Sequence, residues 1–140
     1  MHPPHIVIDT NVLVAGLRSN KGYAYDLLQL VGTGRFEIHL SVPLVMEYES
    51  TLRRLLPVLL VPESVVLDVI DFHCAVAQRH EIFFLWRPHL RDPKDEMVLE
   101  VAVKANCDYI VTYNKRDFQG VESFGLEVLQ PGEFLKKLNP

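Results

Sequence analysis

Two short apolar segments restrict the possible folds more than any other feature of the sequence. They are "HIVI" at residues 5–8 and "YIVT" at residues 109–112. Strands with apolar side chains on both faces are typical of the centre of a parallel sheet. Parallel neighbours need a crossover connection, usually a helix, so the chain is predicted to be an α/β protein with helices on both faces of its sheet.

The rest of the chain alternates between strand-like and helix-like patterns, which agrees with such a sheet. Besides 5–8, strands are predicted at 36–42 ("FEIHLSV"), 81–86 ("EIFFLW"), 108–113 and 126–131. Helices are predicted at 12–17, 23–31, 43–56 (with Ser41 or Val42 near its N-cap), 63–80 and 92–107, with a last helical turn at 132–138. We expect a three-layer α/β/α sandwich of four or five parallel strands in the order 3-2-1-4-5, with residues 1–140 forming one domain.

Composition and charge narrow the functional classes. The 140 residues are 49% hydrophobic and 23% charged, with a net charge of −4, so nucleic-acid binding would have to rest on local basic patches. No segment approaches the roughly 20 apolar residues that a membrane span needs. No signal peptide is recognised, so we expect a cytoplasmic protein. Cys74 and Cys107 lack metal-binding spacing and are expected to be reduced.

Acidic and amide side chains follow or precede the predicted strands at the carboxyl end of the sheet. They are Asp9 after the first strand, Glu47 in the helix after the second, Asp92 and Asp95 at the start of the helix before the fourth, and Asn114 and Asp117 after the fourth. Ligands bind at this end of parallel strands. Clustered carboxylates repel one another unless a cation neutralises them, so the pattern indicates a Mg²⁺ or Mn²⁺ site, since these ions prefer oxygen ligands.

Each acid also has a purely structural interpretation. Asp9 and Asp92 stand where helix N-caps are expected, and Asp95 in a first helical turn favours the helix dipole. Asp117 fits a turn, and Glu47 fits a solvated helix face. The sequence therefore leaves both interpretations open for each residue, and the metal hypothesis depends on all of them sharing one crevice.

Three stretches, in this order, resemble the PIN-domain family of metal-dependent nucleases, in particular its small prokaryotic members of the VapC-like toxin–antitoxin type. They are "IVIDTNVLVAGL" at 6–17, "SVPLVMEYES" at 41–50 and "DPKDEMVLEVAVKANCDYIVTYNKRDF" at 92–118. The resemblance extends over nearly the whole chain and implies the same parallel fold.

The resemblance also implies a set of functional residues. The catalytic acids would be Asp9, Glu47, Asp95 and Asp117, of which Asp9, Asp95 and Asp117 would hold the metal. Many family members carry Asp at the position of Asn114, so Asp117 is taken as the fourth acid and Asn114 remains an alternative ligand through its amide oxygen or a water. The residues expected to orient the acids are Thr10, Asn11, Asp92, Thr112 and Asn114.

The activity that the resemblance implies is cleavage of single-stranded RNA by a water activated on Mg²⁺ or Mn²⁺. Lys94, Lys115 and Arg116, beside the acids, are the candidate RNA-binding residues, and Arg53 and Arg54 lie two turns beyond Glu47. A cognate antitoxin protein is an implied partner. The apolar stripe of 63–78 is wider than one helix face needs and predicts a homodimer.

Three other interpretations compete with a PIN nuclease. A haloacid-dehalogenase-like phosphatase would need a second acid where Asn11 stands, and "GTGRFE" at 32–37 lacks the third glycine of a dinucleotide-binding loop. The third is a PIN fold that binds RNA or a partner protein without cleaving, which Asn114 favours. Dependence of function on Mg²⁺ or Mn²⁺ separates the nuclease from this binding module.

Overall fold

The computed structural model describes residues 2–81, 90 and 92–139, and its centre is a parallel five-stranded sheet. The strands are β1 (His5–Ile8), β2 (Glu37–Ser41), β3 (Gln78–His80), β4 (Tyr109–Val111) and β5 (Glu127–Leu129). Their order is β3-β2-β1-β4-β5, with every neighbouring pair parallel. This confirms the predicted sheet order.

Six α-helices within these described residues connect and cover the strands. They are α1 (Thr10–Arg18), α2 (Tyr23–Leu30), α3 (Val42–Arg54), α4 (Glu63–Val76), α5 (Pro93–Lys104) and α6 (Pro131–Leu138). Short 3₁₀ turns lie at Leu56–Val58, Lys115–Phe118 and Val121–Phe124. The Ser41 side chain caps α3 by accepting a hydrogen bond from the backbone N–H of Leu44, as its position before Pro43 predicts. None of the helices in the described ranges has the length and apolarity to cross a membrane.

The two central strands are buried on both faces. In β1, Ile6 and Val7 are 0% exposed and Ile8 is 2% exposed, and Ile110 and Val111 of β4 are 0% exposed. Because successive side chains of a strand point to opposite faces, this burial requires helices on both sides of the sheet. Burial on both faces at the centre of a parallel sheet is therefore the reason for the uninterrupted apolar runs of the sequence, as predicted.

The third strand lies earlier than predicted. The predicted helix 63–80 ends at Val76, where the backbone N–H of Ala77 bonds to the carbonyl of His73, and residues 78–80 pair with β2 as β3. Of the predicted strand 81–86, residues 82–86 fall outside the described residues. β3 is an edge strand with polar, partly exposed side chains, so it lacks the apolar pattern that identifies the central strands.

Three histidines form a hydrogen-bonded row that runs diagonally across β1, β2 and β3, from the start of β1 to the end of β3. His39 Nε2 lies 2.7 Å from His5 Nδ1, and His39 Nδ1 lies 2.8 Å from His80 Nε2. His39 is buried at 2% exposure. Burial, with added repulsion from His5 and His80, lowers the pKa of His39 from 6.5 to about 4. The folded protein therefore keeps His39 neutral over a range in which the unfolded chain protonates it.

This difference predicts a loss of stability in mild acid. As the pH falls from 7 to 5, His39 becomes protonated in the unfolded state but stays neutral in the folded state. This difference lowers the free energy of unfolding by about 2 kcal/mol. Urea denaturation across this range should show a smaller loss for His39→Gln than for the wild type. A residual dependence should remain, because burial also lowers the pKa of His73. Parallel stability curves for the two proteins would contradict the prediction.

Candidate functional site

A cleft of about 300 Å³ lies outside the carboxyl ends of β1 and β4. Carboxylates contributed by four separate parts of the chain meet there: the start of α1, the middle of α3, the start of α5 and the turn after β4. The described residues that line the cleft are Asp9, Thr10, Asn11, Val14, Glu47, Thr51, Arg54, Leu55, Asp92, Lys94, Asp95, Asn114 and Asp117. The acids singled out in the sequence therefore face one space.

Asp9 is held firmly at the end of β1. Its Oδ1 accepts a hydrogen bond from the backbone N–H of Thr10 at 2.7 Å, so the residue is indeed the N-cap of α1. Its Oδ2 accepts from Thr112 Oγ1 at 2.8 Å and from Asn11 Nδ2 at 3.2 Å. The side chain is 7% exposed. Capping the helix and lining the cleft are thus compatible functions of one carboxylate.

Thr112 and Asn11 tie the ends of the two central strands together. Thr112 is fully buried, and its Oγ1 accepts hydrogen bonds from Asn11 Nδ2 at 3.2 Å and from the backbone N–H of Asn114 at 3.0 Å. Asn11 Oδ1 accepts from the backbone N–H of Tyr113 at 3.2 Å. These bonds set the orientation of Asp9 relative to the turn that carries Asn114.

Glu47 approaches the cleft from α3. Its Oε1 accepts a hydrogen bond from Thr51 Oγ1, one turn later, at 2.7 Å. The Lys94 Nζ lies 3.8 Å from the same oxygen. The neighbouring Tyr48 is buried and donates a hydrogen bond from its hydroxyl to the carbonyl of Ile8, which anchors α3 to the strand that ends at Asp9. Thr51 was not singled out in the sequence, although its i+4 spacing from Glu47 places both on one helix face.

Asp92 and Asp95 have different environments at the start of α5. Asp92 is the N-cap, and its Oδ1 accepts from the backbone N–H of Lys94 at 2.9 Å. Asp95 lies in the first turn, and within the described ranges no hydrogen-bond donor reaches its carboxylate. The structural interpretation therefore suffices for Asp92, whereas in the described part of the chain the Asp95 carboxylate has no hydrogen-bond donor that would stabilise its charge.

Both candidates for the fourth ligand line the cleft. Asn114 lies three residues after the end of β4, and Asp117 lies in the 3₁₀ turn Lys115–Phe118, whose Phe118 is buried at 1% exposure and anchors the turn. Asp117 is close enough for its charge to raise the pKa values of both Asp9 and Asp95. The acid of this turn is thus electrostatically part of the cluster.

The clustered carboxylates disfavour one another's ionisation. Burial, together with repulsion from Asp9, Asp117, Asp92 and Glu96, raises the pKa of Asp95 from 3.8 to about 7. Burial also raises the pKa of Asp9, against the opposing effect of its hydrogen bonds with Thr112 and Thr10, and repulsion from Asp117 and Glu47 raises it further. Perturbed groups of this kind, grouped in a cleft, are typical of functional sites.

The donor set suits a hard divalent cation. The cleft lining contains carboxylate, amide and hydroxyl oxygens, and no Cys or His occurs among the described lining residues, which favours Mg²⁺ or Mn²⁺ over zinc. Over 2–81, 90 and 92–139, no three His, Cys, Asp or Glu side chains are grouped closely enough to hold a metal ion together. Mg²⁺ commonly binds through one or two carboxylates and keeps several waters, and this open arrangement agrees with that mode.

The basic residues near the motifs divide into two groups. Lys94 and Arg54 line the cleft. The Lys115 Nζ lies 3.1 Å from the Glu133 Oε1 of α6 and is paired with that carboxylate. Neither Lys115 nor Arg116 is among the described residues that line the cleft. The position of a lysine or arginine beside an acid in sequence is therefore a poor guide here, because a 3₁₀ turn points adjacent side chains in different directions.

The fold and the acidic cleft together define an α/β protein with a candidate metal site at the carboxyl end of a parallel sheet. A family model described as "PIN domain" matches residues 5–116. The chain belongs to the PIN-domain family. No significant match is found among curated proteins.

Solved structures support the same fold. Fifteen chains match significantly. One is from the crystal structure of VapBC2 from Rickettsia felis bound to a DNA fragment from their promoter, with a TM-score of 0.57 and 13% sequence identity over 89% of this chain and 98% of that chain. At this identity the similarity concerns the fold.

The different environments of Asp95 and Asp9 predict that neutralising Asp95 raises the melting temperature, whereas neutralising Asp9 does not. In EDTA at pH 8, Asp95→Asn should raise the melting temperature by about 2–4 °C, because it removes a repelled charge that accepts no hydrogen bond within the described structure. Asp9→Asn should give no such gain, because an amide nitrogen would face the donors of Thr112 or Asn11. Thermal unfolding of the three proteins measures this. A lower melting temperature for Asp95→Asn than for Asp9→Asn would contradict it.

Proposed function

We propose that this PIN-domain protein, with residues 1–140 forming one domain, is an endoribonuclease that cleaves single-stranded RNA with Mg²⁺ or Mn²⁺. The observation that carries the proposal is the cleft in which Asp9, Glu47, Asp95 and Asp117 meet at the carboxyl ends of β1 and β4. In a member of a family of nucleases, a cluster of mutually repelling carboxylates is most readily explained by a cation that they share.

The residues proposed to hold the metal, directly or through its coordinated waters, are Asp9, Asp95 and Asp117, with Asn114 as the alternative to Asp117. When bound, the metal would lower the pKa of a coordinated water and offset negative charge at the scissile phosphate. Thr112, Asn11 and Thr10 keep the Asp9 carboxylate in one orientation through their hydrogen bonds, which outer groups of metal sites commonly do. Asp92 holds the start of α5, and thus Asp95, in place.

Glu47 has a separate proposed part. Its Oε1 accepts a hydrogen bond from the Thr51 hydroxyl and lies 3.8 Å from the Lys94 Nζ. We assign it to orienting the attacking water or accepting its proton, since a carboxylate restrained by two donors is held at a defined position in the cleft. Lys94 is the one of the three candidate RNA-binding residues that the described lining contains.

We further propose that the protein is the toxin of a toxin–antitoxin pair acting in the cytoplasm. The support is the resemblance of its motifs to small prokaryotic PIN proteins of that type and its fold similarity to a chain of VapBC2. A cognate antitoxin is the expected protein partner. Co-expression with the product of a neighbouring open reading frame should yield a complex that copurifies and has reduced ribonuclease activity.

A non-cleaving PIN module is the second candidate. The observation in its favour is that an amide, Asn114, stands two residues after the strand-end Thr112, where many family members have Asp. The raised pKa of Asp95 argues for the nuclease instead, because a protein that only binds RNA gains nothing from bringing this carboxylate close to Asp9 and Asp117.

The decisive experiment is cleavage of labelled single-stranded RNA in Mg²⁺, Mn²⁺ and EDTA. Wild type should cleave only with a divalent ion, and Asp95→Asn and Glu47→Gln should each reduce kcat/KM by about a hundredfold or more. Glu49→Gln is the matched control on α3, since Glu49 pairs with Arg53 and is not among the cleft residues. Mg²⁺ should raise the melting temperature of wild type more than that of Asp95→Asn. Cleavage by Asp95→Asn at the wild-type rate would refute the proposed site, and RNA binding without cleavage would support the second candidate.

Assembly into a homodimer is also proposed. The apolar residues of α4 and the segment before it are only partly covered: Val58 is 50% exposed, Leu60 64% and Phe72 48%. Sedimentation at tens of micromolar should give the mass of a dimer, and Leu60→Lys with Phe72→Lys should shift it toward the monomer because charges in an apolar interface are costly. A monomer mass for the wild type at this concentration would contradict the proposal.

A further inference from the structure

Two adjacent arginines at the end of α3 have opposite surroundings. The Arg53 Nη2 lies 3.6 Å from the Glu49 Oε1, and its Nη1 lies 3.5 Å from the Glu63 Oε2. The guanidinium is therefore paired with two carboxylates. Arg54 lines the acidic cleft and is exposed, and no carboxylate in the described part of the chain pairs with it. One residue of difference along a helix turns a side chain by about 100°, which is enough to place the two guanidinium groups on different faces.

Arg54 shares its helix face with the acid site. Glu47, Thr51, Arg54 and Leu55 all line the cleft, at the i, i+4, i+7 and i+8 spacing of a single face. The other cation of the lining, Lys94, lies near Glu47. Arg54 is therefore the cation of the described lining that has no ion pair with a carboxylate of the described residues.

We propose that Arg54 binds a backbone phosphate of the RNA strand next to, and not at, the phosphate that the acids and their metal would hold. This inference rests on the proposed function. Seven residues of helix separate Arg54 from Glu47, about 10 Å along the axis of α3, so Arg54 stands two turns beyond the acid on the same helix face. A guanidinium binds phosphate oxygens through two parallel hydrogen bonds, a geometry that an ammonium lacks.

The electrostatics of the cleft make such a contact necessary. Among the described residues five carboxylates line it, Asp9, Glu47, Asp92, Asp95 and Asp117, and a single metal would offset only part of their charge. A polyanion that enters the cleft is repelled except where a cation meets it. Arg54 on the α3 wall would thereby determine along which side the strand runs and favour strands longer than the single scissile linkage.

Arg54 also has a structural explanation. It is the last residue of α3, where a positive charge interacts favourably with the helix dipole. This effect would act on stability and leave RNA affinity unchanged, and it would apply equally to Arg53. Substituting both arginines separately therefore distinguishes the two explanations.

The test is binding of a fluorescently labelled single-stranded RNA of about twelve nucleotides to Asp95→Asn protein in Mg²⁺, measured by anisotropy over a range of KCl concentrations. Adding Arg54→Ala should weaken binding about tenfold and reduce the slope of log K against log salt by about 0.7, the value for one phosphate contact on a single strand. Arg54→Lys should restore the slope without restoring the full affinity. Arg53→Ala should leave slope and affinity unchanged.

An Arg54→Ala variant that binds like its parent, or an equal loss for Arg53→Ala, would overturn the assignment, as would a parent protein that binds no RNA. Binding is measured separately from cleavage. If wild type fails to cleave RNA but Arg54→Ala still lowers the salt slope, the nuclease proposal fails while the phosphate contact holds. Melting temperatures of all variants show whether any loss of affinity comes with a loss of folding.

Discussion

The hydrogen bond from Thr112 to Asp9 is the contact on which the arrangement of the site depends. It joins the carboxyl ends of the two central strands, and Asn11 reinforces it by bonding to both residues. Because β1 and β4 pair in parallel through the buried residues before them, this polar contact converts the register of the sheet into a defined position for one carboxylate. The remaining acids are placed relative to it by helices packed on the same strands.

Burial and mutual repulsion of the carboxylates both oppose the assembly of the site. Hydrogen bonds compensate Asp9 for its burial, whereas within the described structure no donor compensates Asp95, whose pKa is raised to about 7. A sequence selected only for stability would not keep an uncompensated carboxylate beside two others. The free energy that repulsion costs would be recovered on binding of a cation, so the instability of the cleft and the proposed affinity for a metal would have the same physical origin.

The parts of the fold that the sequence predicts well are those whose local pattern has one physical cause. The central strands are recognisable because burial on both faces demands uninterrupted apolar residues, and the start of α3 is recognisable from Ser41 before Pro43. The third strand was misplaced because Gln78–His80 is a short polar edge strand whose pairing with β2 comes from tertiary packing. The row formed by His5, His39 and His80 has no signature along the chain, because the three histidines lie on different strands and meet only across the sheet.

The sequence by itself determined the parallel α/β architecture and the acids at the strand ends, because hydrophobic burial and strand direction act through local residue types. Only the tertiary structure decided which charged side chains share the cleft. It placed Arg54 there and Arg53 against Glu49 and Glu63, and it paired Lys115 with Glu133. Long charged side chains have no periodic pattern, and their direction depends on helix rotation and on partners distant in sequence, which only the packed fold specifies.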